Sequence, residues 1–426
     1  MYPDTYYAAT RREPSDHPVH SGQARARVVV IGGGYAGLAT ALGLAERGVS
    51  DVLLLESQAI GFGASGRNGG FVFAGYSLDE ESLLQKLGPS EARWMYELTR
   101  SAVHSIRARI DRYAIDCDPV DAGVIWANWF ADPSLLERRR QLLEKHYGSE
   151  WTSIDAAELR TQLHTSRYHG ALFEADAFHV HPLNLALGLA RAAQQLGVRV
   201  YAQSPVISIG RQAGGWRVHT AQGNVDAEQV VVAGGGYLHG LIPALQRAML
   251  PIATYVAVTE PLGARLQDAI RTRAAVYDTR FAFDYYRALS DTRLLWGGRI
   301  SILNRSPSAV ALLLKRDIAR VYPQLGEVRI DYAWSGLMSY ARHEMPQIGQ
   351  SQPGLWHAQA FGGHGVATTT VAGEILAQAI ASGDDSWRRF QTFGLTRTWR
   401  PFGFLGAQAT YSYLQARDVW KSGRSG

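Results

Sequence analysis

Short runs that are apolar at every position alternate with helix-length stretches along most of the chain. Residues 28–31 (Val-Val-Val-Ile) and 52–55 (Val-Leu-Leu-Leu) are such runs, and the stretch between them, 35–47, is rich in Ala and Leu and is followed by Gly48. A run apolar on both faces predicts a strand covered on both sides, as in a parallel sheet. A helix that ends at glycine supplies the crossover that parallel strands need. The same alternation returns later. Residues 182–196 predict a helix ended by Gly197, 198–201 a strand, 216–220 and 225–227 a hairpin around Gly223, and 230–232 a buried strand running into Ala233-Gly234-Gly235-Gly236. Near the end, 355–360 predicts a last strand and 366–382 a last long helix. Two other regions read differently. Residues 78–163 are mainly helical, interrupted by an apolar strand near 123–126, and 252–302 are strand-like and aromatic. Residues 308–321 predict a helix, 329–337 a strand and 407–420 a helix in an Arg- and aromatic-rich tail.

Composition narrows the possibilities. A chain of 426 residues with 46% hydrophobic positions can fill a large core, as two domains or one composite. No apolar run approaches the roughly twenty residues that span a bilayer, and residues 1–26 lack the apolar stretch of a secretory signal. A cytoplasmic protein without membrane attachment is the expectation. Cys117 is the one cysteine, so an intrachain disulfide or a Cys-based metal site is excluded. Between Asp116 and Asp118 its thiol should be hard to ionise. The formal charge of +5 comes from scattered arginines, so nucleic acid is not an expected partner. The densest basic run, Arg138-Arg139-Arg140, sits beside Glu137 and Glu144 and reads as a solvated helix face.

The chemistry concentrates at glycine-rich turns. The strand 28–31 runs into Gly32-Gly33-Gly34-Tyr35-Ala36-Gly37, and the next strand ends at Glu56. Gly32 permits the tight turn, Gly34 lets a diphosphate approach the backbone, Gly37 lets helix pack on strand, and Glu56 can accept from ribose hydroxyls while repelling a 2′-phosphate. This predicts a bound dinucleotide other than NADP. Further bare backbone follows at 61–70 (Gly-Phe-Gly-Ala-Ser-Gly-Arg-Asn-Gly-Gly), at 233–235, and at Gly363-His364-Gly365 before the last helix. That many approaches suits a flavin with its long ribityl chain better than NAD. A helix starting at residue 366 would turn its positive end toward the ligand. His179 and His181 have a spacing seen in metal sites, but no third ligand lies nearby and Pro182 suits a helix start, so no metal is expected.

In the order of these motifs the chain resembles the D-amino-acid oxidase superfamily of FAD enzymes, which includes glycine and sarcosine oxidases. Residues 61–70, Asp284-Tyr285-Tyr286-Arg287, 293–299 (Arg-Leu-Leu-Trp-Gly-Gly-Arg), 360–365 (Ala-Phe-Gly-Gly-His-Gly) and the arm 6–10 (Tyr-Tyr-Ala-Ala-Thr) look like its gamma-glutamylputrescine oxidase branch. The resemblance covers nearly the whole chain. It implies an α/β composite fold: a Rossmann-like FAD domain from segments 27–77, 155–245 and 330–384, and a substrate domain on an antiparallel sheet from 78–154 and 246–329. Residues 1–26 would form an arm and 385–426 a tail. It implies extended FAD held by Gly32, Gly34, Tyr35, Ala36, Gly37, Glu56 and Ser57, by Ala64, Ser65, Arg67, Asn68, Gly69 and Gly70, by Val206, Ala233, Gly234 and Gly336, and by Gly363, His364, Gly365, Val366, Ala367 and Thr368.

The implied reaction is hydride transfer from an amine-bearing carbon to flavin N5, hydrolysis of the imine, and reoxidation by O2 to hydrogen peroxide. His364, Arg67, Tyr286, Arg287, Trp296 and Tyr340 are the candidate catalytic residues: strand alternation would point one of Tyr286 and Arg287 into the substrate cavity, and Trp296 and Tyr340 would form a cage for the amine together with Phe361. Three departures matter. Sarcosine oxidases hold a substrate carboxylate with a Lys where this chain has Ala367. They place a Lys implicated in oxygen activation where it has Leu295, and they attach flavin through a Cys near residues 336–338, where it has none. FAD is therefore expected to be non-covalent, and small α-amino acids are less favoured substrates. Open beside amine oxidation are a dehydrogenase, a secondary-amine or imino-diacid oxidase, and an FAD-binding sensor or subunit without turnover.

Overall fold

A computed structural model describes residues 1–423. Two eight-stranded sheets organise it. The first is parallel at its centre, in the order Leu355–Gln359, Gly223–Val232, Gly22–Ile31, Val52–Leu55, Arg199–Tyr201, with Gln347–Gln352 antiparallel on one edge and the hairpin Val206–Gln212/Gly215–Thr220 attached to Gly223–Val232. Register sets Val30 beside both Leu54 and Val231. These side chains are buried because helices Tyr35–Glu46, Pro182–Gln195 and Gly365–Ser382 supply the apolar cover that a parallel sheet needs. The first and last of these helices cross closely. A Cβ on Gly373 would stand 2.4 Å from Ala39 Cβ, so only glycine admits this approach.

The second sheet runs Ile330–Tyr340, Leu250–Thr259, Leu294–Ser301, Asp284–Ala288, Ala275–Asp278, Val124–Ala127, Ala171–Glu174, Thr152–Ile154, and its pairs are antiparallel except Ala275–Asp278 with Val124–Ala127. One face packs on helix Pro307–Val321 in a second core. The opposite face looks toward the glycine turns of the first sheet.

Strand pairing corrects the expected segments. Ala171–Glu174 and Ile330–Tyr340 hydrogen-bond into the second sheet, whereas the resemblance implies that 155–245 and 330–384 belong to the dinucleotide domain. Residues 22–26 open the central strand, so the N-terminal arm is shorter than 1–26. That arm is anchored: Tyr7 is buried and Thr10 Oγ1 lies 3.1 Å from His181 Nε2. The tail helix begins at Phe402, earlier than 407, and lies on the second sheet's side, where Asp418 accepts from Phe281 N–H and Ser422 accepts from Trp129 Nε1. Among the described residues no helix is long and apolar enough to cross a membrane.

Candidate active site

The opening turn is built by the strand it follows. Gly32 has φ +113°, and a Cβ there would fall 2.6 Å from the Ala233 carbonyl oxygen, so the neighbouring strand's own glycine turn is wedged against it. Helix Tyr35–Glu46 starts at Gly34 with no side-chain cap. Ser65 Oγ accepts from Tyr35 N–H at 2.9 Å, which ties the 61–70 loop to this helix start. Glu56 closes the other side, taking Gly33 N–H at 2.6 Å and Gln58 N–H at 2.8 Å, with Ser57 Oγ donating at 3.1 Å.

The 61–70 loop is fixed internally. Asn68 Nδ2 donates to Ala64 O and Ser65 O, and Asn68 Oδ1 accepts from Gly70 N–H at 2.8 Å. Arg67 projects from it over the Phe62 and Tyr237 rings, 4.6 and 5.8 Å from their centroids. Its Nη1 donates weakly to Ser335 O (3.4 Å), its Nε is buried without a partner, and burial lowers its pKa. Gly336 faces it closely enough that a Cβ would touch the Arg67 Cβ at 3.5 Å.

The closing turn mirrors the first. Gly363 N–H donates to Ser77 Oγ, and helix Gly365–Ser382 begins at His364 without a side-chain cap, leaving its first N–H groups to the cavity. Thr368 Oγ1 returns to His364 O at 2.7 Å. The His364 ring meets Phe73 edge-on with centroids 4.8 Å apart, and its Nδ1 is buried without a partner. Burial first, and then the Arg139 charge, push its pKa down to about 4, so the imidazole is neutral at pH 7. Tyr340 is bridged to Phe361, and burial raises its phenol pKa.

Both turns open into one cavity of about 910 Å³. Gly32, Gly34, Tyr35, Ala36, Glu56, Ser57, Ala64, Ser65, Arg67, Asn68, Gly69, Val206, Ala233, Gly234, Gly336, Tyr340, Gly363, His364, Gly365, Val366 and Ala367 line it. Three expected contacts lie behind its wall. A Cβ on Gly37 would fall 1.9 Å from Gly32 O, so that glycine serves helix packing. Gly70 is covered by Val180 O, and Thr368 is fully buried.

Strand parity corrects the expectation that Tyr286 or Arg287 lines the cavity and that Trp296 belongs to the cage. Tyr286 and Trp296 sit on the far face of the second sheet, stacked on one another with centroids 4.3 Å apart, and the Tyr286 hydroxyl meets Tyr168 and Tyr322. Their neighbour Tyr285 faces the cavity instead, its ring lying over Gly297. Arg287 shares the Tyr285 face but ends outside the cavity, donating to Gly69 O and Val180 O and meeting His179 Nδ1. It braces the 61–70 loop. His179 gives its other nitrogen to Arg273 O, while His181 accepts from Asn184 N–H as a helix cap. Burial pushes the Cys117 thiol up to about 12, with Asp118 and Asp116 adding to it.

The remaining wall was not legible as a site in the sequence. Phe73, Trp126, Tyr277 and Phe283 line it, with Glu80 and Arg139 beside them. Arg139 corrects the solvated-face expectation for residues 138–140. It turns inward from helix Ser134–Leu142, over Trp126 at 4.5 Å and Trp151 at 5.1 Å, and pairs with buried Glu80 at 2.9 Å. Helical spacing separates it from Arg140, which pairs with Glu137 and Glu144 outside.

The donor set fits an extended flavin dinucleotide. A bare turn and a carboxylate suit the adenosine end, glycine-rich walls suit the middle, and an uncapped helix start suits an electron-accepting ring.

Comparison with known proteins gives the same picture. The family model described as DAO, FAD dependent oxidoreductase, matches residues 27–379. Gamma-glutamylputrescine oxidoreductase of Escherichia coli (strain K12) is 36% identical over 422 residues, covering 97% of this chain and 98% of that protein. Glycine oxidase from Geobacillus kaustophilus superposes with a TM-score of 0.73 at 22% identity, covering 88% of this chain and 99% of that one. L-Proline dehydrogenase from P. horikoshii superposes with a TM-score of 0.71 at 17% identity, covering 91% and 99%. These two likenesses are of fold, and the fold serves an oxidase and a dehydrogenase alike.

Proposed function

The chain belongs to the DAO family of FAD-dependent oxidoreductases, and from that premise we propose that it oxidises the C–N bond of a carboxylate-bearing amine of the gamma-glutamylputrescine type. The observation that carries this reading is the placing of an uncapped helix start and a neutral imidazole at the aromatic end of the cavity whose other end is the Gly32–Glu56 turn. The 36% identity to gamma-glutamylputrescine oxidoreductase supports the substrate class.

Bound FAD supplies the acceptor for a hydride from the carbon next to nitrogen. Gly32, Gly34, Glu56 and the 64–69 loop would hold its adenosine and diphosphate, and Gly363 to Ala367 its ring, without a covalent bond. The chain's own residues then act on the amine. Tyr285, Tyr277, Phe73 and Trp126 wall the reacting carbon from water and stabilise the neutral amine by lowering the local dielectric. Neutral His364, which lines this end of the cavity, adds no positive charge to repel an incoming ammonium or to favour the protonated amine. The positive end of helix Gly365–Ser382 stabilises negative charge arriving at the acceptor. The substrate leaves as an imine, which water converts to an aldehyde and ammonia or an amine.

In this reading oxygen is the final electron acceptor. One observation favours a second reading, a dehydrogenase: among the described residues no lysine lines the cavity, and Leu295 is buried in the core. Incubating the yellow protein with an amine panel in air, and quantifying aldehyde, peroxide and dye reduction, separates them. Aldehyde with equimolar peroxide supports the oxidase. Aldehyde only when a dye is present supports the dehydrogenase. No aldehyde from any carboxylate-bearing amine contradicts both.

A further inference from the structure

The cation that holds a substrate carboxylate in sarcosine oxidases is missing from this cavity: position 367 is Ala. The cavity nevertheless holds four arginines. Arg280 spends its donors on Asp278 and Asp284, and Arg299 is doubly bonded to Asp317. Arg67 lies against Tyr237 and Gly336, on the wall made by the glycine-rich loops. Arg139 alone of the four lies over a tryptophan of the cavity wall, Trp126. Its guanidinium is supported from below by Trp126 and Trp151, its ion pairing is a single bond from Nη2 to Glu80, its Nε, like that of Arg67, is buried without a partner, and 22% of the side chain stays open.

Its position suits a substrate tail. A Cβ placed on Gly75 would lie 3.2 Å from Glu80 Oε1 and 3.6 Å from His364 Nδ1, so the Arg139–Glu80 pair and the imidazole border the same point of backbone. Trp126, Tyr277 and Phe73 form a continuous aromatic surface from Arg139 to His364. An amine held at His364 with a chain laid along these rings would bring its far end to the guanidinium.

Resting on the amine-oxidation reading, we propose that Arg139 is the specificity-determining residue that receives the substrate's carboxylate, in place of the cation absent at position 367. A planar fork with spare N–H donors matches a carboxylate in two-point contact. Glu80 already offsets part of the charge, so the site suits a singly charged carboxylate better than a phosphate. The pair also explains selectivity: an amine lacking the carboxylate leaves the fork's remaining donors buried and unpaired, which is a penalty against that substrate.

The test uses the holoprotein and two amines that differ only at the far end, gamma-glutamylputrescine and its α-carboxamide. For Arg139→Met, the half-saturating concentration for flavin reduction should rise about 30- to 100-fold with the carboxylate and change less than about 3-fold with the carboxamide, the size of one charge-assisted bidentate contact. Arg139→Lys should recover part of the loss. Equal losses for both amines, or none for either, overturn the proposal. A second readout needs no turnover. Glutarate, titrated against the flavin absorbance, should perturb wild type, fail to perturb Arg139→Met, and bind several-fold tighter to Glu80→Gln, whose arginine has lost its internal counter-charge. Glutarate binding that is insensitive to Arg139, or weaker or unchanged in Glu80→Gln, also overturns it. If no amine reduces the wild-type flavin while glutarate still reports on Arg139, the catalytic reading fails and the carboxylate site stands.

Discussion

Tyr285 and Tyr286 are adjacent in sequence, chemically identical and opposite in role. A strand turns successive side chains to opposite faces, so one lines the cavity and its neighbour stacks in the second core. The sequence announces such a pair but not its parity, because parity depends on which face the distant partner strands cover. Tyr285→Ala should lower the rate of flavin reduction at least about 10-fold by opening the wall to water, with little change in melting temperature. Tyr286→Ala should do the reverse, destabilising the fold by about 3–5 kcal/mol as a large buried ring is lost. Arg139 was illegible for a related reason: three consecutive arginines on a helix look solvated until the helix's packing face is known. Glu174 adds a residue-scale prediction in pH. Burial, opposed by a bond from Ala74 N–H and by Arg139, raises its carboxyl to about 8. The unfolded chain loses that proton near pH 4.5, so the unfolded state binds fewer protons and stability falls as pH rises from about 4.5 through about 8. Glu174→Gln should remove up to a few kcal/mol of that decline. Thermal melts at pH 5 and pH 8 check this, and an equal decline in both proteins would contradict it.

Among the elements, the two helices that begin at the glycine turns carry the site. Their starts were legible because the signal is local: an all-apolar strand, a glycine turn and an Ala-rich helix within about twenty residues. Their crossing was not, since Gly373 and Ala39 are far apart in sequence and meet only through the fold. Gly373→Val should force the helices apart and cost about 1–3 kcal/mol or more. Because both helix starts face the cofactor cavity, the same variant should release FAD at lower denaturant than wild type does. Unchanged FAD retention beside lowered stability would show that the crossing serves the core alone. The second sheet's order was also hidden, since strand Ile330–Tyr340 follows a helix and yet pairs with Leu250–Thr259, some eighty residues earlier. No local pattern specifies such antiparallel partners.

At the scale of the whole molecule, burial and charge tie the cofactor helices to the rest. Arg109, on helix Pro89–Arg112, donates to Glu46 at 2.5 Å and also to Glu374, so three helices meet in one partly buried ionic cluster. Removing the shared cation leaves Glu46 with the Tyr113 hydroxyl, while Glu374 keeps its pair with Arg47. Arg109→Met should cost about 1–3 kcal/mol, read as a lower denaturation midpoint with the absorbance of native-bound flavin unchanged. The two sheets then act as jaws: one presents glycine backbone to a long cofactor, and the other presents an aromatic face and Arg139 to the substrate. The account is tested most directly by anaerobic titration of the yellow holoprotein with gamma-glutamylputrescine, following the flavin absorbance. It predicts complete bleaching at one equivalent of amine per flavin, and release of free FAD when the protein is denatured. A flavin band unchanged by a large excess of this and other carboxylate-bearing amines would contradict it.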